Sequence, residues 1–220
     1  MKKCRGFTIV EVVIVLFIIG LITTLAALGF SKANRQKQLD SAARVVKSAI
    51  SNARDYALFG QEVEGKYPCG FGVVLNKDSG ESSGIKTVYV QNADRIEVME
   101  TDNTCDDKVK GSSVKLAVMD GQEEQEWADS VLLTGIKNIS GGAESCSIIL
   151  FSAPRSGSYY CSCDACPPTG DTNCACSVFS DDSGELNEKY FQTEFEIVEG
   201  ILSDTLSQKI YASGNTEEVQ

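Results

Sequence analysis

From Phe7 to Phe30 the chain is almost continuously apolar, and nowhere later does such a run recur. In a helix those positions span about 36 Å, enough to cross the hydrocarbon core of a bilayer with some tilt. After Phe30 the apolar residues thin into a stripe. Leu39, Ala42, Ala43, Val46, Ala49, Ile50, Ala53 and Ala57 recur at steps of three and four, while Arg35, Lys37, Asp40, Arg44, Lys47 and Asp55 take other positions. This is the 3.6-residue period of an amphipathic helix over 31–60. Apart from Gly29 nothing breaks the two stretches apart, so the pattern predicts one helix from about Phe7 to about Phe59, about 80 Å long. Gly60 suits its C-terminal stop. The 7–30 half is expected to lie in a membrane and the stripe of the other half to pack on the body.

Beyond Gly60 the period changes. Phe71–Asn76, Lys86–Gln91, Arg95–Met99, Val114–Met119, Val131–Ile139, Cys146–Phe151, Phe191–Val198 and Lys209–Ala212 read as short strands rich in Val, Ile, Tyr and Phe. Turn sequences such as Asp78-Ser79-Gly80 and Ser140-Gly141-Gly142 separate them. No internal repeat is visible. A long helix laid on antiparallel sheet gives an α+β fold with a β-rich body over 61–220.

Charge and composition exclude much chemistry. The chain has 220 residues, a net charge of −11 and no histidine. Imidazole bases, Ser-His-Asp or Cys-His pairs and H-E-x-x-H zinc sites are therefore absent. No phosphate-binding G-x-x-x-x-G-K-[ST] occurs, and Gly70-Phe71-Gly72 runs straight into Val73-Val74-Leu75, as the edge of a strand would. An acidic chain with no basic stretch beyond its first residues disfavours nucleic acid as a partner.

The basic residues Lys2, Lys3 and Arg5 precede the apolar run and place that end in the cytoplasm, with the body outside. Within the run the only ionisable side chain is Glu11. A carboxylate in hydrocarbon costs several kcal/mol unless it finds a partner. A cut after Gly6 would create an α-ammonium on Phe7, one helical turn before Glu11. Gly6-Phe7-Thr8-Ile9-Val10-Glu11 followed by an unbroken apolar run resembles the type IV prepilin signal. The resemblance implies a leader over 1–6, cleavage between Gly6 and Phe7 by a prepilin peptidase, and methylation of the Phe7 amine. It also implies pairing of Glu11 with a neighbouring subunit's N-terminus during assembly. Two other readings exist: a secretory signal with Thr24-Leu25-Ala26 as its small-x-small cleavage site, and a plain signal anchor.

The body also resembles a pilin branch, the type II secretion system protein H family (GspH/FimT-like minor pseudopilins). The likeness rests on Ala53-Arg54 through Ala57 and Gly60 on the helix, on Ile149-Leu150-Phe151-Ser152-Ala153-Pro154-Arg155-Ser156-Gly157 as strand, turn and return strand, and on Ile210-Tyr211-Ala212-Ser213-Gly214 as a last strand and turn. DNA binding, known for some relatives through basic C-terminal residues, is countered here by Thr216-Glu217-Glu218-Val219-Gln220.

Nine cysteines remain to be placed. Cys4 lies in the leader, which leaves Cys69, Cys105, Cys146, Cys161, Cys163, Cys166, Cys174 and Cys176. Export favours disulfides for this even set. Cys161 to Cys176 reads as a cysteine-rich loop around Pro167-Pro168. Four thiolates there would suit zinc or an iron–sulfur cluster. Only Cys163–Cys166 has knuckle spacing, and the others are C-x-C. A thioredoxin-like role for Cys163-Asp164-Ala165-Cys166 lacks its βαβ context. The loop holds five cysteines, so at least one must bond outward, to Cys69, Cys105 or Cys146; eight cysteines allow 105 pairings. Asp102, Asp106, Asp107, Asp181 and Asp182 read as solvated turns rather than a calcium loop, since no D-x-[DN]-x-[DN]-G is present.

These readings converge on a structural subunit with no catalysis, metal or cofactor of its own. The expected partners are a prepilin peptidase, other pilin or pseudopilin subunits in a helical filament, an inner-membrane assembly platform and the membrane itself. The alternative is a membrane-anchored binding module whose cysteine-rich loop captures a surface ligand or an exported substrate.

Overall fold

The computed structural model describes residues 9–76, 84–100, 104–119, 125–126, 131–137, 143–144, 146–154, 157–163, 172–178, 190–199, 202–211 and 216–219, without the side chains of 25–29 and of scattered strand positions. Helix α1 runs Ile9–Phe59 and is followed by β1 Gly70–Asn76, β2 Gly84–Val90, α2 Arg95–Glu100, α3 Cys105–Val109, β3 Gly111–Val118 and β4 Gln125–Glu126. Then come β5 Val131–Lys137, β6 Ala143–Glu144, β7 Cys146–Ser152, β8 Ser158–Cys163, β9 Asn173–Val178, β10 Tyr190–Glu199, β11 Leu202–Tyr211 and β12 Thr216–Val219. The chain divides into two compact units, 1–37 and 38–220. The antiparallel body expected from the sequence is present, and its α+β character stands.

Within the second unit the helix ends as its sequence proposes. Gly60 adopts φ +75°, and the Gly60 and Gln61 amides both donate to the Tyr56 carbonyl. Only glycine takes that left-handed conformation without steric cost.

The strand order β1-β7-β8-β9-β3-β2 closes on itself, because β1 pairs with both β7 and β2. Every pairing in the ring is antiparallel. The body is thus built round a closed six-stranded barrel, with β4 appended to β2. Closure leaves no unpaired edge in the ring and gives each strand an inner and an outer face. Val74, Val88, Val90, Val114, Leu116, Ile148, Leu150 and Tyr159 fill the inside together with Val98 of α2 and Val109 of α3. Alternate residues of the same strands, Phe71, Val73, Leu75, Ile85, Tyr89, Ile149 and Phe151, join the helix stripe in a second cluster. All eight predicted stripe residues are buried. β1 is therefore covered on both faces, which is why its sequence is an unbroken apolar run. Gly72 is required there: a Cβ would stand 2.3 Å from the Ile149 carbonyl oxygen of β7.

A second sheet, ordered β12-β11-β10-β5-β6, contributes Val131, Leu133, Ile136 and Ile210 to the helix-side cluster.

Two strand expectations need correction. Arg95–Met99 is helix α2, not a strand. The Asp94 carboxylate accepts from the Ile96 amide at 2.8 Å and its carbonyl from the Val98 amide, so a cap turned an alternating sequence into a helix. The strand expected over Lys209–Ala212 starts at Leu202, because β11 pairs along its whole length with β10. The acidic C-terminal stretch supplies β12, whose Thr216–Val219 pairs with β11. The turns at 78–80 and 140–142 lie outside the described residues.

Candidate functional site

The first unit, 1–37, carries the N-terminal apolar run. Gly6 and Phe7, the predicted processing positions, lie outside the described residues, and so does Cys4. Glu11 sits in the first turn of α1 and is exposed. Around it every large apolar side chain from Ile9 to Ile22 is exposed as well, from 47 % at Val12 to 84 % at Ile9. The apolar residues go all round this part of the helix, with no polar face to turn to water. Its hydroxyls are satisfied internally: Thr23 donates to the Ile19 carbonyl at 2.9 Å and Thr24 to the Gly20 carbonyl at 2.8 Å. Among the described residues no helix is long and apolar enough to cross a membrane. The side chains of 25–29, inside the expected 7–30 span, are outside the described set.

The cysteines are where the sequence reading and the structure differ most. Cys161 and Cys163 lie on β8 and Cys174 and Cys176 on β9, so the segment 161–176 is a pair of barrel strands joined by a connection, not a loop throughout. Cys161 bonds Cys176 and Cys163 bonds Cys174, each pair directly opposite in the register and 4.1 Å apart at Cα. C-x-C places two cysteines on one face of a strand. Two such strands, antiparallel, make a two-rung ladder. Three of its four residues are buried in the barrel interior and Cys163 is half-buried against it. The ladder therefore braces a core instead of substituting for one.

A separate bond joins Cys69, just before β1, to Cys105, the first residue of α3. Cys146 is also disulfide-bonded, while Cys166 lies outside the described residues. Of the three outward partners expected for the cluster, Cys69 and Cys105 are excluded because they pair with each other, which leaves Cys146.

The aspartates near α3 serve the fold. Asp106 accepts hydrogen bonds from the Ser152 hydroxyl and, at 2.9 Å, from the Tyr159 hydroxyl, which joins α3 to β7 and β8. Burial, and then the Asp106 carboxylate beside it, push the Tyr159 phenol well above its ordinary range, so it stays a protonated donor. Asp107 closes a capping box: the Thr104 hydroxyl donates to its carboxylate at 2.7 Å, and this bond holds the carboxyl below its usual value. Nothing in the sequence linked Asp106 to residues 46 and 53 positions away. Asp102, Asp181 and Asp182 lie outside the described residues. Among the described residues no group of three or more potential ligands is placed to hold a metal ion.

Residues 1–27 match the prokaryotic N-terminal methylation motif. No curated protein and no solved structure matches the chain. The motif covers Gly6, Phe7 and Glu11, and it identifies the N-terminus as a type IV pilin-like signal of the kind a prepilin peptidase processes. It ends well before the barrel, and no match supports the likeness of the body to the protein H family.

Proposed function

We propose that the protein is a minor pilin or pseudopilin, a non-catalytic subunit of a type IV pilus or a type II secretion pseudopilus. The methylation motif over residues 1–27 is the observation that carries this reading. In the proposal, cleavage after Gly6 and methylation of Phe7 prepare the N-terminus, and the 7–30 segment waits in the inner membrane with the body outside. On assembly it joins other subunits, with Glu11 facing a neighbour's N-terminus. The exposure of every large apolar side chain from Ile9 to Ile22 supports a segment meant for surroundings other than water. The disulfides support an oxidising compartment for the body.

N-terminal sequencing and intact mass of the membrane-extracted protein test the reading. The expected product begins at N-methylated Phe7. A start at Met1, or at Ala27 or Leu28 just beyond Thr24-Leu25-Ala26, would overturn it.

The alternative, an anchored module that captures a ligand through the 161–176 segment, loses ground to the placement of its cysteines. Cys161, Cys174 and Cys176 are buried on the barrel interior and bonded across it, which takes their sulfurs away from any ligand.

A further inference from the structure

Where α1 ends, three large apolar side chains stand in the open: Phe59 is 85 % exposed, Met99 67 % and Ile96 53 %. Together with Tyr67, Gly60 and Arg95 they line one shallow cleft of about 220 Å³. Arg95 is half-buried in it, close enough to Gly60 that a Cβ there would stand 3.0 Å from a guanidinium nitrogen. Among the described residues this guanidinium has no hydrogen-bond or ion-pair partner. Its backbone amide is committed, donating to the Tyr67 carbonyl at 2.7 Å, so the backbone is fixed while the charged end bonds to no other described residue. A guanidinium walled by apolar groups is the setting in which a carboxylate binds best, through two parallel hydrogen bonds in a partly desolvated site.

The geometry points to a docking site for an acidic-apolar protein segment, with a carboxylate on Arg95 and a neighbouring apolar side chain between Phe59 and Met99. Two observations choose this occupant. The cleft is smaller than the roughly 300–1,000 Å³ that encloses a small-molecule ligand, yet it is the right size for one anchoring side chain. Its composition of Phe, Tyr, Met and Arg is that of interface hot spots. The chain's charge of −11 opposes any acidic partner at long range. Attraction by Arg95 is local, and the opposing field is screened beyond about 8 Å at physiological salt. The site is independent of how the N-terminus is processed.

The test uses the full chain in mild detergent at 150 mM salt and a fluorescein-labelled peptide carrying one Asp between Leu and Phe. A second peptide has Asn in place of that Asp. Fluorescence anisotropy is expected to show the acidic peptide binding at least tenfold tighter than the amide. Arg95→Gln should erase that ratio, and Met99→Ser should weaken both peptides several-fold and alike. Both side chains are solvent-accessible, and an unchanged unfolding midpoint verifies that each variant is folded. Equal binding of the two peptides, or discrimination that survives Arg95→Gln, overturns the proposal. Displacement of the peptide by laurate at lower concentration would overturn it in favour of an aliphatic carboxylate. Self-association abolished by Met99→Ser would overturn it in favour of a second copy of the chain.

Discussion

The first turns of α1 and the wall of the barrel are made of the same residues and meet opposite fates. Ile, Val, Leu and Phe between Ile9 and Ile22 are all exposed, whereas Val74, Val88, Ile148 and Leu150 are all buried. The barrel strands alternate faces, so a ring of them supplies its own cover on the inside and borrows the helix stripe on the outside. The helical segment is apolar all round and has no second face. Burial in the barrel is therefore a property of the body's own strands, while burial of the 9–22 segment needs something that the described residues do not provide. The two regions should respond differently to the same insult.

The largest effect comes from putting a charge into each. Leu150→Asp places an unpaired carboxylate in a fully buried position and is expected to cost more than about 4 kcal/mol, enough to leave no folded body. Leu16→Asp touches a side chain that is already exposed. It should leave the unfolding free energy of the body within about 0.5 kcal/mol of the parent, while the protein leaves the membrane fraction. Denaturant unfolding and fractionation read the two outcomes. Equal effects on the body would break the distinction.

The disulfides sharpen it one step down. Cys69–Cys105 closes 36 residues, and neither ladder bond falls within that loop, so replacing both with Ser should cost about 3–4 kcal/mol by loop entropy. The ladder bonds are nested, with separations of 15 and 11. Removing either leaves the other holding most of the same loop, and the expected loss is about 2 kcal/mol or less. If a single ladder bond proved worth more than Cys69–Cys105, its sulfurs would be contributing chiefly as core packing.

The parts of this architecture that could be read in advance were those written locally. The α1 stripe repeats within any ten residues, and the Gly60 stop follows it directly. The motif at Gly6, Phe7 and Glu11 is contained in one short stretch. Barrel closure was not legible, because it depends on β1 pairing both β2 and β7, whose partners Ile85 and Ser147 for Leu75 lie far apart in sequence. The C-x-C spacing was a period-2 strand signal, yet Pro167 and Pro168 between the two pairs favoured a loop. Arg95–Met99 alternates like a strand, and a single cap at Asp94 decided otherwise. The Arg95 cleft had no signature at all: Phe59, Tyr67 and Met99 meet only in the fold.

A smaller effect tests the second sheet against the barrel. Gln208 on β11 is buried, its amide nitrogen donates at 3.4 Å to the Ala43 carbonyl of α1, and its Oε1 has no partner among the described residues. The donor bond is long, and an orphaned buried acceptor costs about 1–3 kcal/mol. Gln208→Met keeps the shape and removes the orphan. It should raise the unfolding free energy by about 1 kcal/mol, and a loss would mean that the amide oxygen is satisfied in solution.

The smallest effect separates surface chemistry from the barrel core through pH. Asp107 is held below its ordinary value by the Thr104 hydroxyl, then by the Thr104 amide. A carboxyl whose folded value is depressed adds stability above its unfolded value, near 4, and loses it as pH falls through the folded value. Asp107→Asn should therefore lower the denaturation midpoint slightly at pH 6, and the gap to the parent should close by pH 2. Asp107 is exposed, so the gap should also shrink in high salt. Because α3 begins at Cys105, the box and the Cys69–Cys105 bond position the same short helix over the barrel. A gap that persists unchanged from pH 6 to pH 2 would show that the carboxylate is not hydrogen-bonded in solution. The disulfide and the Asp106 contacts would then hold α3 without it.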